Sequence, residues 1–197
     1  MRALVVYESM YGNTHSVAVS IAAGLSARHE VTLVPVTRAT PELIAAADLL
    51  VIGGPTHMHG MTSAASRRMA ADTARKQGSG LVMDPDADGP GARGWLETFG
   101  SLGMPGRLGR FDRLGSGHDT LAAAFDTRLT GAPLVTGRAS RGIARLLARH
   151  GYRLFAKPES FLVSKRNTLL DGEAARARAW GASIGAAASD LSAPTVA

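Results

Sequence analysis

Apolar runs alternate with helix-period stretches along the first half of the chain. Ala3, Leu4, Val5, Val6 and Tyr7 follow one another without a polar break, as in a strand buried on both faces. Val17, Ile21 and Leu25 then recur every fourth residue, backed by Ala18 and Ala22, and predict a helix. Val31 to Val36 is a second strand. Its Pro35 lacks an N–H and so belongs at a sheet edge. Thr40 and Pro41 suit the N-cap and first position of a short helix. Leu49, Leu50, Val51 and Ile52 form a third buried strand within Asp48 to Gly53, and residues 62–77 have helical character.

Periodicity fails between Gly78 and His118. Asp84 to Gly91 is a loop on composition, residues 93–102 read as a short helix carrying Trp95, Leu96 and Phe99, and the glycines of 103–118 predict a mobile linker. Order returns at Leu121 to Phe125, a fourth strand ending in Asp126, Thr127 and Arg128. Ile143, Leu146, Leu147 and His150 mark one helix face. Tyr152 to Phe155, with Phe161 to Val163 beyond Pro158, make a fifth strand. Asp171 is suited to cap a last helix through Trp180 and Ile184, with Trp180 packing between helix and sheet. Alternation of this kind predicts an α/β fold with a five-stranded parallel sheet, and Pro35 agrees with a doubly wound order 2-1-3-4-5, which puts the second strand at an edge. Residues 1–188 are expected to form one domain with a Gly-rich insertion at about 78–118, and 189–197 a frayed tail. Right-handed crossovers then bring the segments 9–14, 54–61 and 126–137 to one edge of the sheet.

The turn Ser9-Met10-Tyr11-Gly12-Asn13-Thr14 joins the first strand to the first helix. It is rich in hydroxyls, and Gly12 is free to take a positive φ. Its amides and the helix N-terminus converge on one spot suited to an anion, held without any Lys or Arg in the turn. The alternative is an ordinary βα turn in which Asn13 or Thr14 caps a helix.

Strand, Ser-x-x-Gly-x-Thr and helix together resemble the phosphate loop of the flavodoxin family, in which Thr/Ser-x-Thr-Gly-x-Thr wraps the phosphate of FMN. Ser9, Gly12 and Thr14 match, while Tyr11 replaces the middle Thr. Gly-Gly-Pro-Thr-His-x-x-Gly-Met at 53–61 resembles the second loop of the family. Phe-Asp-Thr-Arg, Ser-Phe-x-Val and Gly-Glu-x-x-Arg-Ala-x-x-Trp resemble the later half of some bacterial members. The resemblance implies a flavodoxin-like three-layer sandwich that binds FMN through Ser9, Met10, Tyr11, Gly12, Asn13 and Thr14. Pro55, Thr56, His57, Met58, His59 and Gly60 would lie along one face of the ring, and Asp126, Thr127 and Arg128 along the other face or over its pyrimidine edge. The Gly60 peptide would offer a carbonyl to a reduced ring nitrogen. The chain departs from the family in lacking the aromatic pair that sandwiches the ring, since neither 54–61 nor 126–137 contains Trp, Tyr or Phe. His57, Met58 or His59 would cover one face; Trp95, or a partner subunit, the other.

The chain of 197 residues has no cysteine, so disulfides, cysteine-ligated clusters and thiol nucleophiles are excluded and any redox chemistry falls to an organic cofactor. No segment is apolar for long enough to span a bilayer and no signal peptide is evident, so a cytoplasmic location is expected. His57-x-His59 has no acidic companion in its loop, which argues against a metal. Asp84, Asp86, Asp88 and Gly89 imitate the start of a calcium loop, but Trp95 stands where a Glu is required, so a solvated acidic turn is expected. Residues 101–157 hold ten Arg and Lys against three acids, within a net charge of +6, whereas flavodoxin carriers are typically acidic. Such a face suits an acidic protein, nucleic acid or anionic lipid, or is simply a solvated arginine-rich surface; of these partners an acidic redox protein is the one expected, and nucleic acid is not. Three functions are open: an FMN-binding electron carrier; an NAD(P)H-dependent flavin or quinone oxidoreductase using Arg128 and Arg138 for the nucleotide phosphates; and a flavin-free protein acting through its basic face.

Overall fold

The computed structural model describes residues 1–98 and 120–192. Strand β1 (Arg2–Tyr7) lies parallel between β2 (Glu30–Pro35) and β3 (Leu49–His57), pairing with both. A two-residue strand, β4 (Gly60–Met61), turns back antiparallel on the end of β3. Beyond β3 lies β5 (Leu121–Leu129), whose free edge is shared by β6 (Arg153–Leu154) at its start and β7 (Glu159–Val163) at its end. The expected order 2-1-3-4-5 is thus observed, with the fifth strand broken in two pieces. Pro158, with no N–H to give a ladder, sits in the break. Strand β2 with its Pro35 is the edge strand.

Among the described residues there are seven α-helices: α1 (Asn13–Leu25), α2 (Pro41–Ala45), α3 (Ala64–Arg75), α4 (Ala92–Thr98), α5 (Pro133–Thr136), α6 (Ala139–Arg149) and α7 (Glu173–Ser192). One core packs Val17, Ile21 and Leu25 of α1 and Ile184 of α7 against Val5, Val51 and Phe125. The other packs Trp95 and Leu96 of α4 and Ile143 and Leu147 of α6 against Leu4, Leu50 and Ile52. Alternate residues of each strand therefore serve opposite faces, which is why the strands read as unbroken apolar runs. Helices α1 and α7 touch at backbone distance: a Cβ on Gly24 would lie 2.1 Å from the Arg178 carbonyl oxygen, and one on Gly181 2.3 Å from that of Ile21. Trp180 packs edge-on against Phe125 and Phe161, between α7 and the sheet as expected.

Three expectations change. Residues 54–57 and 126–129 are strand rather than loop, because the β3–β5 ladder continues through Gly54↔Asp126 and Pro55↔Thr127. Helix α7 runs to Ser192, past position 188, as Ala188 is buried against the sheet. The 84–91 segment is no solvated acidic turn. Asp84 and Ala87 are buried, the Asp84 N–H donates to the Met10 carbonyl at 2.9 Å, and the Tyr7 hydroxyl donates to Asp86 at 3.0 Å. The Asp86 carboxylate found donors, Tyr7 and Arg38, that lie far away in sequence. The linker expected at 103–118, Phe99 and the tail beyond 192 lie outside the described residues. Among the described residues, no helix is long and apolar enough to cross a membrane.

Candidate functional site

Strands β1, β3 and β5 end side by side and enclose a cavity of about 170 Å³ at the carboxyl edge of the sheet. Met10, Tyr11, Asn13 and Thr14 line it from the first loop, Pro55, Thr56 and His57 from the second, and Thr127 and Arg128 from the third. Nine of the fifteen residues expected at the site therefore meet around one space. Leu129, Val163 and Asn167 also line it.

The first loop is built to leave main-chain donors open. Gly12 takes φ +87° just before α1, and the Ser9 hydroxyl accepts the Gly12 N–H at 3.1 Å. No side chain caps the N-terminus of α1, and no acid sits in its first turn. The first amides of a helix have no partner within it, so here they and the helix dipole present positive character to the cavity. Nothing lies within 4 Å of the place a Gly12 Cβ would take.

The loop's side chains are tied outward. The Tyr11 hydroxyl donates to Ala70 of α3 at 2.9 Å, the Asn13 amide donates to the carbonyl and the side-chain oxygen of Asn167, and Thr14 and Thr127 share a buried hydroxyl contact of 2.7 Å. Behind it, His15 stacks on Tyr7 with ring centroids 4.6 Å apart and holds Nδ1 3.5 Å from buried Asp84. Burial first, and then the bond to Asp86, push the Tyr7 phenol far above its usual range.

The second segment is a β-hairpin. Thr56 pairs with Met61 and His57 with Gly60, and Met58 and His59 form the turn with φ of 46° and 72°. Met58 stands 72% exposed at the tip, so Met58, His59 and Gly60 fall outside the cavity lining. Gly60, the expected flexible acceptor, is held in the ladder opposite His57. The Thr56 hydroxyl accepts the Ala139 N–H at 2.8 Å, fixing the start of α6 beside the hairpin.

In the third segment, two sequence-based roles give way to structural ones. Asp126 is completely buried in β5, where it accepts the Ser140 N–H at 2.7 Å and so caps α6. Burial pushes its carboxyl up, and the nearby Ser140, Ser160 and Thr56 hydroxyls pull it partly back, though none of them meets Oδ1 in hydrogen-bond geometry. Arg128 spends one guanidinium nitrogen on the Leu129 and Gly131 carbonyls and the Thr136 hydroxyl, at 2.9–3.1 Å. It therefore shapes its own loop. Its Nε, like His57 Nδ1 and Arg138 Nε, is buried without an acceptor among the described residues. Beyond Arg128, Leu134 and Val135 of α5 are 95% and 69% exposed.

Trp95, offered from sequence as a ring cover, is instead in the core behind the sheet, its Nε1 donating to the Ala39 carbonyl at 3.3 Å. An amphipathic helix buries its large apolar residue before it can serve a loop across the sheet edge. No group of three or more metal-ligating side chains gathers among the described residues.

Sequence reasoning missed two things. Glu8, at the end of β1, is buried and accepts the Thr62 hydroxyl at 2.7 Å, the Ala92 N–H at 2.8 Å and the Arg67 guanidinium, clamping α3 and α4 to the first loop. Asn167, at φ 57°, closes the cavity against Asn13. A charged residue directly after a buried apolar run was the available signal for Glu8; for Asn167 there was none beyond a turn-forming residue type.

Residues 5–87 match the family model for flavodoxin. The chain resembles a flavodoxin from the domain Archaea with a TM-score of 0.60 at 16% identity, covering 96% of this chain and 99% of that one. Oxidised flavodoxin 1 from Bacillus cereus gives 0.59 at 16%, covering 92% and 95%. The WrbA-like flavodoxin from Agrobacterium tumefaciens gives 0.57 at 17%, covering 96% and 98%. No curated protein sequence matches. At such identities these likenesses establish the fold, which is the flavodoxin-like three-layer sandwich expected.

Proposed function

We propose that this chain, a flavodoxin-like protein by its family match and its fold, binds FMN at the carboxyl edge of the sheet and carries electrons between proteins. The uncapped N-terminus of α1, opening behind Gly12 into the cavity, carries this reading. It offers a phosphate directed main-chain donors and the positive end of a thirteen-residue helix. The Thr14–Thr127 hydroxyl pair leaves one O–H on the same wall, since the other is spent within the pair. A cavity of about 170 Å³ is smaller than the roughly 300–1,000 Å³ that encloses a drug-sized ligand. It suits the phosphate and the chain attached to it. The flat ring would then lie across the open rim near His57 and Leu129, with an imidazole and aliphatic side chains, and no Trp or Phe, among the residues lining the cavity.

FMN, when bound, accepts and returns electrons singly or in pairs. The protein's share is to hold the phosphate, shield one flank of the ring and keep the loops in place. The carrier reading is preferred over an NAD(P)H oxidoreductase because Arg128, expected to receive nucleotide phosphates, already commits one guanidinium nitrogen to its own loop, which fixes the side chain there.

The test is titration of purified, flavin-free protein with FMN and with riboflavin, followed by an NADPH–quinone assay of the FMN-loaded form. FMN is expected to bind one to one and about 100-fold more tightly than riboflavin, in line with ~2–3 kcal/mol for hydrogen bonds to a charged group. Equal affinities would remove the phosphate assignment. Steady NADPH oxidation without a second protein would replace the carrier with an oxidoreductase.

A further inference from the structure

Positive charge in this protein is concentrated in one continuous segment. Residues 127–158 contain Arg128, Arg138, Arg141, Arg145, Arg149, Arg153 and Lys157 and no acid at all. The other 15 cations are set against all 16 acids, so the segment accounts for more than the whole net charge of +6. The fold gathers this charge on one surface. Arg141, Arg145 and Arg149 recur every fourth residue on the exposed side of α6, and Arg153 and Lys157 continue the exposed run just after it. None of these five forms an ion pair among the described residues.

The arrangement runs against helix stability. Like charges four residues apart repel, and Arg141 sits in the first turn, where the helix dipole disfavours a cation. No acid in that turn offsets it. The first turn of α6 is also where the helix is bonded to Thr56 and Asp126, so the stripe begins at the cavity's rim and runs about 12 Å away from it. Exposed Leu134 and Val135 stand just before it in the chain, an apolar centre beside charged neighbours, as in protein interfaces.

We propose that the α6 arginine stripe docks an acidic redox protein, which places that partner's redox centre at the mouth of the cavity. This deepens the electron-carrier reading and rests on it for the purpose of docking. An interfacial membrane helix is disfavoured because the apolar face of α6, Ile143 and Leu147, is buried against the sheet and has nothing to insert. A nucleic-acid site is disfavoured because the segment presents no exposed aromatic for base stacking: Tyr152 is buried and Phe155 packs against the core.

The test measures binding by calorimetry on flavin-free protein, so that its failure is separate from a failure to bind FMN. The probe is an acidic plant-type ferredoxin, with basic cytochrome c, phosphatidylglycerol vesicles and duplex DNA as comparisons. Ferredoxin is expected to bind at about 20 mM salt and to weaken about tenfold or more by 200 mM, as the screening length shortens from about 20 Å to about 7 Å. Arg141→Glu with Arg145→Glu and Arg149→Glu should abolish binding, the corresponding three lysine substitutions should retain it, and reversal of Arg28, Lys76 and Arg178 should weaken it less than threefold. The lysine form controls for folding. The proposal is overturned if ferredoxin does not bind, if reversal of the distant cations weakens it as much as reversal of the stripe, or if vesicles or DNA bind through the stripe more tightly than ferredoxin does.

Discussion

The loop after β1 and the loop after β5 face one another across the cavity, yet they are built on opposite principles. The first loop spends its side chains on distant elements, Tyr11 on α3 and Asn13 on Asn167, and leaves the α1 amides open. The other turns its polar groups on its own segment: Arg128 bonds the carbonyls of its own loop, Asp126 caps α6, and exposed Leu134 and Val135 stand outward. One side is thus prepared to meet an anion and the other to meet something apolar. For an FMN-type ligand, affinity should be dominated by the phosphate end.

Gly12→Val should break this asymmetry most severely. A β-branched residue at φ +87° forces the loop out of its left-handed geometry at a cost of ~1–3 kcal/mol, and the amides lose their common aim. FMN affinity is expected to fall about 30- to 100-fold, with riboflavin changed less than about threefold. Fluorescence titration of both ligands decides it, and equal losses would end the phosphate reading.

Gly137→Ala probes the opposite wall. A Cβ there would lie 2.1 Å from the His59 carbonyl oxygen, at φ +76°, so the third loop must part from the hairpin. Thermal stability should drop by the equivalent of ~1–3 kcal/mol, and limited proteolysis should cut within 129–137. The ratio of FMN to riboflavin affinity should stay unchanged. A changed ratio would mean that the two walls are coupled.

Asp126→Asn sharpens the comparison through pH. Burial raises the Asp126 carboxyl above its ordinary value, so the folded protein binds its proton more tightly than the unfolded chain does. Stability from this group is fully present below the unfolded pKa, near 3.9, and is lost as pH rises through the folded one. The Asn variant keeps an acceptor for the Ser140 N–H and has no such loss. Urea midpoints should show the variant gaining on the wild type as pH rises from about 4 to 7. A constant difference across that range would mean that the carboxyl titrates normally. The smallest effect is expected at the hairpin tip, where Met58→Asn relieves a left-handed residue at φ 46° and should raise stability by about 1 kcal/mol in thermal melts.

The cation stripe was countable in the sequence, but only the placement of α6 beside the cavity gives it a location. Trp95 illustrates the converse. The pattern predicts a short helix there, and α4 forms over Ala92–Thr98, but the sheet face it packs on is not in the pattern, and Trp95 lies in the core rather than at the site.

By itself, the sequence determined the alternating layers, the edge position of β2 and the loop that leads into α1. These depend on short-range patterns: unbroken apolar runs, a four-residue period, a proline, a glycine beside hydroxyls. Tertiary structure alone decided that Glu8 joins α3 and α4 to the first loop, that Asp126 serves as a cap, that Arg128 holds its own loop and that Asn167 closes the cavity. A buried polar group is governed by whichever donor or acceptor the fold brings within 3 Å, and across 84 or 154 residues of chain no local pattern records that choice.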